Sequence, residues 1–279
     1  MNRKELLIEA EELGSKLGSP ELRLYDATFV LRPDTTDTGQ SLYDKGHIPG
    51  AAFLDHASIS DTTSGLNFTL PKPAQLAEQL GAIGVSNNSE VVVYSSDSIM
   101  WATRIWWVLN YAGHRNVRVL NGGLAAWQGD IETEANTYAP ATFSIDPQPG
   151  MFASIDEVEA AMGNGDVCTL NALPWSFYTG EADIDYAQHG HITASESLPF
   201  SNLMDGHYIK STAALATEFD NYRHQQRLIN YCGGGIAATL NATCALLAGI
   251  DNVAVYDGSM SEWLQAGKPT TPGTEPGSI

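Results

Sequence analysis

A chain of 279 residues with 43% hydrophobic and 17% charged residues has the composition of an ordinary globular protein and the length for two medium domains. Asp and Glu total 33 against 14 Lys and Arg, and a net charge of −19 would repel nucleic-acid phosphates and anionic lipid surfaces, so neither is an expected partner. No stretch approaches the roughly 18 apolar residues of a membrane helix, and the start MNRKELLIEA lacks the apolar core of a secretory signal, so the expected compartment is the cytoplasm.

Leu24-Tyr25-Asp26-Ala27 reads as a short apolar strand ending in a polar residue, followed by the pair His47-Ile48. Val91-Val92-Val93-Tyr94 is a β-branched run that leads through the polar turn Ser95-Ser96-Asp97-Ser98 into a helical stretch over 101–111. Another strand and a glycine turn follow over 117–122, and the pattern closes at Trp127. Residues 132–150 are polar, carry Pro140, Pro147 and Pro149 and lack helical periodicity, which marks a connection.

The whole pattern then recurs over 167–263. Thr169-Leu170-Asn171-Ala172, His191-Ile192, Leu228-Ile229-Asn230-Tyr231, a helix over 237–248 and a strand and turn over 253–258 repeat the first copy element by element, closing at Trp263. The tail after Lys268, PTTPGTEPGSI, is expected to be mobile. Short apolar strands alternating with helices predict two α/β domains, each a mostly parallel sheet covered by helices on both faces. We set the domains at 1–135 and 151–279, joined by 136–150.

The second copy replaces the polar turn with Cys232-Gly233-Gly234-Gly235-Ile236-Ala237-Ala238, so a cysteine stands between a buried strand and a helix start. Backbone N–H groups of such a turn converge as an anion nest, and the positive end of the helix dipole adds to the field, which favours a thiolate. We therefore assign Cys232 as the reactive residue and the backbone of Gly233, Gly234, Gly235, Ile236, Ala237 and Ala238 as its binding loop. Ser95 is the counterpart of Cys232 in the first copy and leaves that copy without a thiol. Cys168 and Cys244 lie in a strand start and an apolar helix and read as core. With no CxxC pair and no GxGxxG after a strand, Gly122-Gly123 and Gly14 with Gly18 included, neither a metal nor a dinucleotide cofactor is expected. His47 and His191 recur in both copies, only one of which has a thiol, and are read as structural. Trp101, Trp106 and Trp107 are read as packing in the core or between the domains.

These residues resemble the tandem rhodanese family, which includes thiosulfate and 3-mercaptopyruvate sulfurtransferases. The resemblance is carried by Tyr43-Asp44-Lys45-Gly46-His47-Ile48-Pro49-Gly50-Ala51-Ala52-Phe53-Leu54 and by Val253-Ala254-Val255-Tyr256-Asp257-Gly258-Ser259-Met260-Ser261-Glu262-Trp263, where Met260 stands in place of the usual aromatic. It implies two tandem rhodanese-like domains, the first catalytically silent. It also implies that Cys232 takes a sulfane sulfur from a small donor, becomes a persulfide, and passes the sulfur to a thiol or cyanide-like acceptor.

The chain also departs from the family. Its loop reads CGGGIA, nearer the uncharged mercaptopyruvate type, with Gly234 where that type has serine, and 173–188 contains no arginine but carries Glu181, Asp183 and Asp185. The second copy has His191-Ile192-Thr193-Ala194-Ser195 where HIPGA is expected. A weak hold on small anionic donors is predicted, with 3-mercaptopyruvate favoured over the doubly charged thiosulfate. A cysteine phosphatase would need Arg six residues after the thiol, where Ala238 stands. The remaining alternative is an idle sulfur-carrier, sensor or protein-binding module. Nothing in the sequence assigns an oligomeric state.

Overall fold

The computed structural model describes residues 2–32, 34–183 and 189–277. Strand residues that are apolar on both sides need cover on both sides. Along Glu90–Tyr94, Val91 and Val93 enter one apolar cluster while Val92 and Tyr94 enter another on the opposite face. Arg227–Tyr231 behaves alike, with Leu228 on one face and Ile229 and Tyr231 on the other.

The first sheet contains β1 (Leu7–Ile8), β2 (Leu22–Asp26), β3 (Ala52–Phe53), β4 (Glu90–Tyr94) and β5 (Val117–Leu120) in the order β1-β5-β4-β2-β3, all parallel. Later strands are β6 (Phe152–Ala153), β7 (Val167–Asn171), β8 (His191–Ile192), β9 (Glu196–Ser197), β10 (Met204–Asp205), β11 (Tyr208–Ile209), β12 (Arg227–Tyr231), β13 (Val253–Tyr256) and β14 (Thr270–Thr271). The second sheet, β6-β13-β12-β7-β9, is parallel throughout and repeats the first order position for position. Antiparallel pairs β10–β11 and β8–β14 complete the strands. The expected duplicated α/β architecture is borne out. No helix among the described residues is long and apolar enough to cross a membrane.

The two halves meet helix to helix. Every residue of Ala237–Leu247 is buried, as expected of a helix that is apolar all round, and its partner Ile99–Tyr111 is buried over most of its length. Thr103 and Thr239 pair through their hydroxyls at 2.8 Å, and the Trp107 indole donates to the Thr239 carbonyl and the Thr243 hydroxyl at 3.0 and 2.9 Å. The connecting residues 136–150 run along the first domain: the N–H groups of Asn136, Ala141 and Asp146 donate to Tyr43 Oη, Gly81 O and Ala112 O at 3.0, 2.9 and 2.9 Å.

The shared histidines are structural. His47 stacks on Tyr43 and His191 on Tyr178, each at 3.7 Å between centroids, with Nδ1 2.8 Å from the carbonyl of the stacked tyrosine. The altered second-copy motif keeps this geometry at a conformational cost. Gly50 takes φ +80°, and its counterpart Ala194 takes φ +64°, a left-handed conformation that disfavours a Cβ. Ala194→Gly should therefore raise the unfolding free energy by about 1 kcal/mol, net of the added freedom of the unfolded chain. Urea denaturation checks this, and a loss of stability would show that Ala194 is unstrained.

Candidate functional site

Strand β12 delivers Cys232 to the carboxyl edge of the second sheet, where the chain turns through three glycines into the helix Ala237–Leu247. The turn is clipped to the residues after β13. Cys232 N–H donates to Ser259 Oγ at 3.1 Å, and Ser259 Oγ donates to Tyr256 O at 2.8 Å. Met260 N–H donates to Cys232 O at 3.1 Å, and Ser261 donates to Gly233 O from its N–H at 3.0 Å and its hydroxyl at 2.8 Å. Ser259 holds this position at φ +49°.

The glycines differ in what requires them. Gly235 has φ +76°, and a Cβ there would collide with the Asp257 carbonyl oxygen, whereas a Cβ on Gly234 would meet nothing within 4 Å. Among the described residues, no acceptor takes the N–H groups of Gly233, Gly234, Gly235, Ile236, Ala237 or Ala238. They provide donors beside the thiol at a helix start.

A cavity of about 280 Å³ opens at Cys232. Gly233, Gly234, Ile236 and Ala237 share its walls with the thiol; Gly235 and Ala238 do not. Gly235 instead turns the chain against Asp257, and Ala238 is fully buried in the helix. Sequence reading missed the rest of the walls: Leu31, Asn67, Phe68, Met100 and Trp101 from the first domain, and Leu173, Phe200 and Ser261 from the second. One signal is geometric, since Phe68 adopts φ +64°, a rare conformation for a bulky residue. No lining residue among those described carries a charge.

Arg104, beside the loop, and Arg223 and Arg227, toward the far end of β12, are committed elsewhere. Arg104, buried in the helix Ile99–Tyr111, pairs with Asp257 at 2.7 Å and donates to the Phe68 carbonyl. Arg223 donates to Ala248 O at 2.9 Å, and Arg227 bonds Asn252 and Glu157 at the start of β12. Arg32, adjacent in sequence to Leu31, pairs with Asp97 at 3.0 Å. Glu181 and Asp183 are exposed and do not line the cavity; Asp185 lies outside the described residues. Burial pushes the Cys168 thiol up to about 12 and raises that of Cys244 as well, so both stay protonated at neutral pH.

Ser95 occupies the matching turn of the first domain, beside a separate cavity of about 300 Å³. Its hydroxyl accepts from Asp97 N–H at 3.2 Å.

A family model described as "Rhodanese-like domain" matches this chain twice, over residues 9–130 and 154–266. The chain belongs to the rhodanese-like family. Thiosulfate sulfurtransferase of Cricetulus griseus is 34% identical over 94% of this chain and 91% of that protein. The 3-mercaptopyruvate sulfurtransferase of Escherichia coli K12 is 29% identical over 92% of this chain and 94% of its own length. Among solved structures, SseA of Escherichia coli, a 3-mercaptopyruvate sulfotransferase, superposes with a TM-score of 0.83 at 27% identity, covering 93% of this chain and 99% of SseA. With such relatives matched end to end, this member of the rhodanese-like family is a sulfurtransferase.

The contrast between the loop glycines is testable by denaturation. Gly235→Ala should lose about 2 kcal/mol or more of stability, because it adds both an unfavourable φ and a backbone collision. Gly234→Ala should change stability by less than about 1 kcal/mol. The reverse order would mean that the loop runs differently.

Proposed function

We propose that Cys232 is the sulfur carrier of this enzyme. Its thiolate attacks the transferable sulfur of a small donor, the donor's bond to that sulfur breaks with its electron pair going to the leaving group, and the outer sulfur of the resulting persulfide then passes to a thiol or cyanide-like acceptor as the persulfide S–S bond breaks and its electron pair returns to the Cys232 thiolate. Residues 151–279 act as the catalytic unit and 1–135 as a silent one, with 136–150 between them. One observation carries this reading: Cys232 alone among the three cysteines combines a place on the interdomain cavity with a strand-to-helix loop of unpaired N–H groups. The N–H groups of Gly233, Gly234, Ile236 and Ala237, which share the cavity walls with Cys232, stabilise the thiolate, the persulfide and the departing anion.

The donor is held mainly by apolar walls and backbone. Without a cation in the lining, a small dianion loses the charge-assisted contact that would fix it before reaction, which weakens binding roughly ten- to hundredfold. Neither thiosulfate nor 3-mercaptopyruvate is bound tightly, and 3-mercaptopyruvate, with one negative charge fewer than thiosulfate to hold in place, is the better donor.

Cys232→Ser should abolish turnover while leaving the melting temperature unchanged, and Cys168→Ser and Cys244→Ser should each stay active. Activity that persists in Cys232→Ser and disappears in either of the others would overturn the assignment. Ser95→Ala should change turnover little; a large loss at unchanged stability would give the first domain a chemical part through Ser95. In steady-state kinetics at matched ionic strength, a thiosulfate Michaelis constant in the low micromolar range would contradict the proposed donor preference.

A further inference from the structure

An anion that brings sulfur to Cys232 meets walls with few polar side chains. Apart from the thiol itself, Asn67 and Ser261 supply the polar side chains among the described lining residues. Ser261 is engaged in the loop, its hydroxyl donating to Gly233 O at 2.8 Å. The Asn67 carboxamide has no hydrogen-bond partner among the described residues and is exposed, so its NH2 group is free to turn onto a ligand.

The chain around Asn67 is braced. Asp61 Oδ1 accepts from the Thr63 N–H and hydroxyl, each at 2.7 Å, and the Ser64 and Thr69 hydroxyls pair at 2.8 Å. Asp61 N–H donates to Thr69 O at 2.8 Å and closes the loop at its base. On the C-terminal side, the Phe68 carbonyl accepts from Arg104, and Leu70 N–H donates to Asp257 at 2.7 Å. The Phe68 ring meets Phe29 and Trp101 at centroid distances of 5.2 and 5.4 Å. The backbone of Asn67 is thereby held at the cavity while its side chain is left out of the bracing. A donor group on a fixed backbone orders little on binding a ligand, and a hydrogen bond it gives to a charged oxygen is stronger than one to a neutral acceptor.

We propose that Asn67 is a specificity-determining residue for the sulfur donor, its carboxamide N–H donating to an oxygen on the departing group: a sulfite oxygen of thiosulfate or a carboxylate oxygen of 3-mercaptopyruvate. The proposal rests on the Cys232 reading. Asn67 orients the anion and takes no part in the bond changes at sulfur. Because the carboxamide is neutral, it gives the anion a hydrogen bond where the lining has no cation. A carboxylate of the same shape at this position would repel both donors, and the doubly charged thiosulfate more.

The test uses the full-length protein with thiosulfate and with 3-mercaptopyruvate as donors and 2-mercaptoethanol, a neutral thiol, as acceptor. Asn67→Ala should lower kcat/KM for each donor roughly tenfold. Asn67→Asp should lower it further, more for thiosulfate than for 3-mercaptopyruvate, and the excess over Asn67→Ala should shrink at high salt. In both variants kcat/KM for 2-mercaptoethanol should stay within about twofold, and the melting temperature should hold within about 2 °C, as for an exposed side chain. A purely structural role would not separate the donors by charge. Unchanged donor kcat/KM in Asn67→Ala would overturn the proposal, as would Asn67→Asp matching Asn67→Ala with both donors at low salt, or an equal fall in both half-reactions. Mass spectrometry of protein exposed to thiosulfate separates this failure from that of the underlying reading. Sulfur uptake by Cys232→Ser would refute the Cys232 assignment itself, whereas uptake confined to proteins with Cys232, together with unchanged Asn67→Ala kinetics, would refute only the role of Asn67.

Discussion

The ion pair between the buried Arg104 and the partly buried Asp257 is the contact on which the site's architecture depends. Arg104 belongs to the first domain and Asp257 to the second, and their 2.7 Å contact joins the halves beside Gly235. The remaining guanidinium capacity holds the Phe68 carbonyl, and the remaining carboxylate oxygen accepts from Leu70 N–H at 2.7 Å. The segment that forms one wall is thereby tied to the residue whose own carbonyl backs Gly235. Removing the Asp257 charge would leave the buried Arg104 guanidinium without its counter-ion, a larger penalty than the loss of an exposed salt bridge. The same commitment leaves Arg104, so close to the loop, paired with Asp257 and the Phe68 carbonyl.

Duplication supplied one framework and two fates. Leu124 N–H donates to Ser95 O and Met260 N–H donates to Cys232 O, both at 3.1 Å, so the loop is anchored identically in each copy. The copies part at the next position. Gly123 in the first has no room for a side chain against Ser95 O, whereas Ser259 in the second turns its hydroxyl onto Cys232 N–H. The thiol-bearing loop is tied further to the residues after its last strand by Ser259 Oγ and by the N–H and hydroxyl of Ser261, and it accepts a left-handed serine in return.

Much of this was legible in the sequence because repetition doubles every weak signal. Val91-Val92-Val93 and Leu228-Ile229 read as buried strands, and the thiol at a strand-to-helix glycine turn stood out without coordinates. The edge strands β1, β3, β6 and β9 are each two residues long and carry no periodicity, so only pairing reveals them. The opposite wall of the cleft was hidden for another reason. Leu31, Phe68 and Trp101 are distant from Cys232 along the chain, and nothing in their local pattern says that two helices will bring the domains face to face. Trp101 was recognisable as a packing residue, and its ring does pack, against Phe29, His56 and Phe68.

The segment after the first sheet has a consequence for how the protein is made. Residues 136–150 close over the first domain, with Ala141 bound to Gly81, Ser144 to Asn87, and Phe143 buried among first-domain side chains. That face of the domain is finished only when these residues have emerged from the ribosome. The first domain and its strap therefore emerge before the second copy of the pattern, which separates in time two sequences that fold to one strand order.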